Sequence, residues 1–167
     1  MIHYFCPFCW TEILKDEKIC PRCSGNIEKW DEKSFTEKLI GSLNHSERST
    51  VYGVCYILGE RRERAAIRPL IELLNKTKDY FLMEEIVEAL GKIRDERTVP
   101  FLIEILDNNR SFLVRGKVAA VLSNFDGQEE VIEALKGATK DYSHYVRESA
   151  RASLDKLTTV LKKRCRV

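Results

Sequence analysis

Apolar residues return along this chain at one fixed interval of 32 residues. Leu58, Leu90, Leu122 and Leu154 set the step. Val54, Ile86, Val118 and Ala150 keep it four residues earlier, and Thr50, Leu82, Val114 and Val146 eight residues earlier. Positions four and eight apart share one face of a helix, so each repeat contributes one helix with a buried stripe. A period of this size, repeated without slippage, marks a stack of like units rather than a fold around one central core.

Each unit holds two helices. The pattern predicts first helices over 47–58, from Asp79, from Ser111, and from Ser143 past Leu157, with Asp79 and Ser111 as N-caps. Gly59 and Gly91 read as left-handed stops, with Ser123-Asn124 in the same place in the third unit. Second helices are predicted over 64–75, 96–106 and 128–138. Ile67, Val99 and Val131 align in them, as do Leu70, Leu102 and Ala134, and Ile71, Ile103 and Leu135. Pro69 and Pro100 fall in first turns, where proline is tolerated. One step of 32 back from Ile67 lies Phe35, and Ser34 with Glu37 forms a capping box, so a further second helix begins there with Phe35, Leu39 and Leu43 on one face. The expected fold is all-α: a solenoid over residues 34–167 made of a half unit, three whole units and a terminal half unit. Helix pairs with two apolar flanks cannot bury them alone, so neighbours cover them and the ends need polar caps. Lys156, Lys162, Lys163 and Arg164 cap the far end. The Ser34 helix, and the module that precedes it, would cover the near one.

Val114-Arg115 followed by Ala119-Ala120-x-Leu122, and Val146-Arg147 followed by Arg151-Ala152-x-Leu154, resemble HEAT-like repeats of the phycobilisome-lyase class. So does Ala89-Leu90-Gly91-Lys92-Ile93 followed by Val99-Pro100-Phe101-Leu102. The resemblance covers about residues 45–157 and implies a helical-hairpin solenoid whose second helices line the concave side. Arginines in the Val-Arg position commonly bond to backbone or to an acid of the adjacent unit. Thr50-Val51 and Leu82-Met83 replace Val-Arg in the first two units, so that ladder is expected to be incomplete.

Residues 1–30 break the helical pattern. Cys6-Pro7-Phe8-Cys9 and Cys20-Pro21-Arg22-Cys23 are two C-P-x-C turns ten residues apart. Two such turns place four thiolates around one tetrahedral ion, which suits zinc, and a closed sulfur shell leaves no open position for catalysis. A segment this short cannot fold on apolar burial alone, so the metal would supply much of its folding free energy. It resembles the short zinc-ribbon modules at the ends of bacterial and archaeal multidomain proteins. Those often carry glycine after each cysteine pair, where this chain has Trp10 and Ser24. A thioredoxin-type reading lacks its strand-helix-strand context, and rubredoxin-like iron sites set their turns much farther apart. Asp31-Glu32-Lys33 reads as a polar hinge between the ribbon and the solenoid.

Charge changes this picture little. The chain is +2 overall, and residues 151–167 carry six basic residues and one acid, leaving residues 1–150 at 2 − 5 = −3. No segment is apolar for the ~18–20 residues a membrane helix needs, and the start is not a secretory signal. A cytoplasmic location with reduced thiols follows.

Other candidates are weighed against plain packing. Cys55 follows the core position Val54 and reads as a buried thiol, and Cys165 sits in the basic tail. His3, His45 and His144 form no His-Glu pair, which a di-iron HEAT-repeat hydroxylase would need, and no nucleophile triad or phosphate loop is found. Arg61, Arg62, Arg64 and Arg68, with Arg94 and Arg97 in matching places of the next unit, could form a basic patch, although Glu60, Glu63, Glu72, Asp95 and Glu96 are interleaved. Tyr80, Phe112 and His144 stand in register after the N-caps, with Phe81 and Tyr145 beside them, as an aromatic strip for a partner or as packing between units. The reading is a non-enzymatic zinc-binding adaptor that engages protein partners. The alternative is a nucleic-acid-binding protein using the ribbon, the arginines and the basic tail. The lyase name of the repeat class describes a repeat shape and does not carry a function.

Overall fold

The structure is a computed structural model that describes residues 3–164, with side chains through residue 159. It opens with a two-stranded antiparallel hairpin, β1 (Tyr4–Phe5) and β2 (Glu12–Ile13), with Tyr4 opposite Ile13. Nine helices follow among the described residues: α1 (Ile27–Asp31), α2 (Phe35–Ser42), α3 (Arg48–Glu60), α4 (Ile67–Lys76), α5 (Tyr80–Ile93), α6 (Val99–Asn108), α7 (Phe112–Leu122), α8 (Glu129–Ala138) and α9 (His144–Arg164). The fold is an all-α HEAT-type solenoid with the cysteine cluster at its leading end.

First helices α3, α5, α7 and α9 stack on one another, and second helices α4, α6 and α8 pair with them from one side. One continuous core runs from Leu39 to Leu157 and contains Leu58, Leu90 and Leu122, all fully buried. Cys55 lies inside it with no exposure, and burial pushes its thiol up to about 12, so it is no thiolate at neutral pH. Cys165 lies outside the described residues.

Several local expectations are corrected. Gly59 and Gly91 do not end their helices. They are buried within α3 and α5, where a side chain would collide with the next first helix: an added Cβ on Gly59 would come 2.8 Å from the Cα of Ala89, and one on Gly91 would strike Val121. The left-handed stops fall three residues later, at Arg62 (φ 51°) and Arg94 (φ 55°). Asp79 caps α5 through the amides of Phe81 and Leu82, whereas Ser111 makes no side-chain cap. Ser34 and Glu37 do form their capping box. On α2, Leu39 and Leu43 are buried while Phe35 is exposed beneath the Arg61 guanidinium, 5.2 Å from its ring centre. Each of the first two second helices is entered through a single 3-10 turn, at Arg64–Ala66 and Glu96–Thr98.

The layers are unequal. Neighbouring first helices approach closely across small residues, and second helices stand farther apart. Gly59 and Gly91 are the positions where that close approach is made, against Ala89 and Val121 of the next first helix.

The ribbon packs on the solenoid instead of swinging from it. Trp30 of α1 is buried between Phe8 (ring centres 4.9 Å apart) and Gly41 of α2, where an added Cβ would lie 2.6 Å from the indole. Lys33 covers the same indole at 5.2 Å, and Lys38 donates to the Asp31 carbonyl at 3.1 Å, which ties down the stretch read as a hinge. Trp10 meets His45 edge to face, with ring centres 6.0 Å apart.

Candidate metal centre and partner surface

Both cysteine turns are built alike. In the first, Trp10 N–H returns to the Cys6 carbonyl and Cys6 N–H donates to Thr11; in the second, Ser24 N–H returns to the Cys20 carbonyl and Cys20 N–H donates to Gly25, all four at 2.9 Å. Closing each turn requires a left-handed residue, and Trp10 (φ 56°) and Ser24 (φ 58°) take that conformation although neither is glycine. The four sulfurs all lie within 4.8 Å of one another. Cys6 to Cys23 and Cys9 to Cys20 are each 3.7 Å. A tetrahedral ion with metal–sulfur bonds of about 2.3 Å sets its sulfurs about 3.8 Å apart, which these two separations match, so the four sulfurs are close enough to hold such an ion. It is the only group of metal-ligating side chains found among the described residues. Burial raises the Cys6 thiol to about 12, and the Thr11 hydroxyl holds Cys9 down to about 6. Arg22 donates to that hydroxyl at 3.2 Å, and the Phe8 amide points at Cys6 sulfur at 3.4 Å, so the outer shell is already in place.

Three arginines of the cluster, Arg64, Arg68 and Arg97, are paired with acids. Arg97 grips Asp95 with two bonds, at 2.7 and 2.8 Å, and Arg64 approaches the same carboxylate at 3.8 Å. The Arg97 guanidinium, joined by its amide and by Arg64, holds Asp95 down at about 2. Arg68 pairs with Glu72 at 3.0 Å, and Arg61 covers Phe35. Arg94 lies with Arg62 on a groove of about 210 Å³ shared with Glu60, Lys92 and Asn124.

Tyr80, Phe112 and His144 begin α5, α7 and α9, one above the other on the edge of the first-helix layer, and all three are exposed. Phe112 leans on Tyr145, ring centres 6.4 Å apart. Below them the layer is laced by Lys92 to Glu60 (2.7 Å), Lys117 to Glu88 (3.3 Å) and Lys156 to Asn124 (3.3 Å).

A second ladder, not read from the sequence, runs along the same edge. His45, Thr77, Asn109 and Asp141 are 32 apart, and each side chain accepts the amide N–H two residues on, at 2.9, 3.2, 2.9 and 2.7 Å. Four chemically different side chains perform one turn, which is why no residue identity flagged it. The expected arginine ladder meets it. Arg115 reaches Asp141 of the next unit with two bonds (2.8 and 3.0 Å), donates to the Asn109 and Arg110 carbonyls, and stacks on Tyr142. Arg147 donates to the Asp141 and Tyr142 carbonyls. One unit earlier, Met83 sulfur takes Asn109, and one earlier still Val51 faces Thr77 across an open cavity.

The family model for HEAT repeats matches residues 36–123, more than half of the chain, beginning at the half unit that starts with Phe35. The chain belongs to the HEAT-repeat family. No curated protein matches its sequence. Among solved structures, human deoxyhypusine hydroxylase in complex with glycerol is similar, with 24% identity and a TM-score of 0.65 over 77% of this chain. The match covers 45% of that protein, and at this identity it shows the fold alone. No helix among the described residues is long and apolar enough to cross a membrane.

Proposed function

We propose that this chain is a non-enzymatic adaptor of the cytoplasm, in which a zinc-bound ribbon caps a short HEAT solenoid that binds protein partners. The observation that carries the reading is the run of exposed aromatics, Tyr80, Phe81, Phe112 and Tyr145, ordered along one edge of the first-helix layer. Monomeric proteins seldom keep such a row in water without use for it, and HEAT repeats generally serve protein interaction. The paired state of Arg64, Arg68 and Arg97 speaks against phosphate binding as the main role.

Cys6, Cys9, Cys20 and Cys23 would hold the zinc. All four positions being sulfur, the ion supplies folding free energy and no open coordination site. Its binding draws protons from the thiols, Cys6 most of all, and Thr11 and the Phe8 amide steady the thiolates.

The test is crosslinking and affinity capture from the native cell with the intact chain and with Tyr80→Ala/Phe112→Ala. The intact chain captures a protein that the double variant loses, and metal analysis gives one zinc per chain. Recovery of no partner together with a turnover activity overturns the adaptor; iron in place of zinc overturns the metal assignment.

A further inference from the structure

The cavity beside Val51 differs from an ordinary surface dent because the structure shows what fills its counterpart. In the third unit the Arg115 guanidinium occupies the space between the turn carbonyls and Asp141. In the first unit the equivalents are Val51 and Thr77, too short and uncharged to meet. A cleft of about 630 Å³ opens there, between the loop leading into α3 and the loop leading into α5. That volume falls within the ~300–1,000 Å³ of sites that hold small ligands or single side chains.

Its chemistry is two-sided. Leu43, Val51, Leu73 and Leu82 form an apolar floor, and Tyr80 and Phe81 of the aromatic strip stand at its wall. The polar rim favours an anion. Arg48 and Lys78 line it. Helix α3 presents its N-terminus there with no side-chain cap from Glu47 and no acid in its first turn; the Thr50 and Val51 amides turn back to the Glu47 carbonyl, and the Arg48 and Ser49 amides at its start are free of a side-chain acceptor. His45 lines the same cleft and is 8% exposed. Its Nδ1 accepts from the Glu47 amide, which puts the neutral ring's proton on Nε2, and Nε2 has no hydrogen-bond partner among the described residues. The one carboxylate present, Asp79, is engaged by the Phe81 and Leu82 amides, the Tyr52 hydroxyl and Arg48.

We propose that this cleft is a binding site for a peptide segment of a protein partner in which an apolar side chain stands next to a carboxylate, the side chain on the leucine floor and the carboxylate at the α3 N-terminus between Arg48 and Lys78. The proposal rests on the adaptor reading and names the chemistry of its partner. N-acetyl-leucine and N-acetyl-leucinamide, identical but for the charge, are titrated into the metal-bound, isotope-labelled full chain and followed by NMR. The acid shifts the amides of residues 48–51 and 77–82 and binds about tenfold tighter than the amide, the worth of one charge-assisted hydrogen bond. Val51→Arg/Thr77→Asp rebuilds the Arg115–Asp141 pair inside the cleft and abolishes the shifts with no loss of thermal stability. Should that variant fail to fold, Lys78→Glu, at an exposed site, cuts acid binding at least fivefold and leaves the amide's binding unchanged. Equal binding of acid and amide, shifts elsewhere, or unchanged acid binding in a folded variant overturns the site. Continued capture of a cellular partner by the Val51→Arg/Thr77→Asp chain would remove the cleft and leave the adaptor standing; capture by Phe112→Ala, whose ring stands outside the cleft, tests the adaptor separately, and its undiminished capture counts against the aromatic strip.

Discussion

Trp10 and Ser24, and Arg62 and Arg94, hold positive φ without being glycine, and each pair sits at equivalent places of a repeated turn. A left-handed residue with a Cβ carries a penalty of about 1–2 kcal/mol, partly offset because glycine would gain more freedom in the unfolded chain. In Ser24 and Trp10 the turn must close around a cysteine pair, so the backbone obeys the geometry of the cysteine cluster over the side chain's preference. Arg94 has no such excuse, since neither a metal nor an ion-pair partner among the described residues holds it. Arg94→Gly is therefore expected to raise stability by about 0.5–1 kcal/mol, visible as a rise of roughly 2 °C in melting temperature. A fall would show that the guanidinium supports the fold through the Glu60–Lys92 groove. Its neighbour Asp95 makes a pH prediction. The folded carboxyl sits at about 2, below its ordinary value of 3.8, because Arg97 grips it. A depressed acid contributes stability in full above its unfolded value and loses it as pH falls toward the folded one. Denaturant midpoints measured from pH 5 to pH 2 should thus drop below about pH 4 in the native chain, and Asp95→Asn should flatten that part of the slope.

At the scale of the element, two glycines in one helix make opposite predictions. Gly59 of α3 lies against the Ala89 backbone, and Gly53, six residues earlier, has nothing within 4 Å of the place a Cβ would take. Gly59→Ala forces α3 and α5 apart and should destabilise by about 1–3 kcal/mol. Gly53→Ala removes a flexible residue from an exposed helix interior and should stabilise by about 1 kcal/mol; chemical denaturation of both variants reads the contrast. The repeat ladder made the helices and their stacking legible in the sequence, because burial of Val54, Leu58 and their equivalents is a matter of periodicity alone. The role of Gly59 was not legible, since a glycine at a helix end and a glycine under a neighbouring helix look the same until the neighbour's distance is known. The Arg115–Asp141 pair was half legible: the resemblance pointed to the arginine, and the acid 26 residues on could not be picked from several nearby. Asp141 is held below the ordinary carboxylate range by that guanidinium; Arg115 is buried and Asp141 is largely covered. Asp141→Ala leaves Arg115 buried without its counter-charge and should cost about 3–5 kcal/mol, far more than removal of the exposed Glu72 opposite Arg68.

Across the whole molecule, the ribbon takes the place of the missing half of the first unit. Trp30 covers α2 at Gly41, and Trp10 covers His45, the first member of the turn ladder, where a preceding repeat would otherwise lie. The cluster of four cysteines was plain in the sequence from their spacing. Their docking was not, because it depends on two tryptophans meeting a glycine and a histidine outside the repeat's own pattern. The chain's two cores are nevertheless separate: Cys6, Cys20 and Ile27 form one, and the solenoid stripe from Leu39 to Leu157 forms the other. If the proposed zinc is bound, its removal should therefore act unequally. Without it the four thiols would share no ion, the small core is too slight to stand alone, and the ribbon should unfold. Both tryptophans of the chain lie in it, so chelation should shift indole emission to the red, while the helical signal at 222 nm stays within about a tenth of its starting value, since α1 is the only helix lost. The solenoid then loses its leading cap and should melt a few degrees earlier, with Trp30→Ala in the metal-bound chain reproducing part of that drop. Loss of the helical signal in step with the emission change would mean that cap and solenoid form one cooperative unit, and that the repeats cannot stand without the metal.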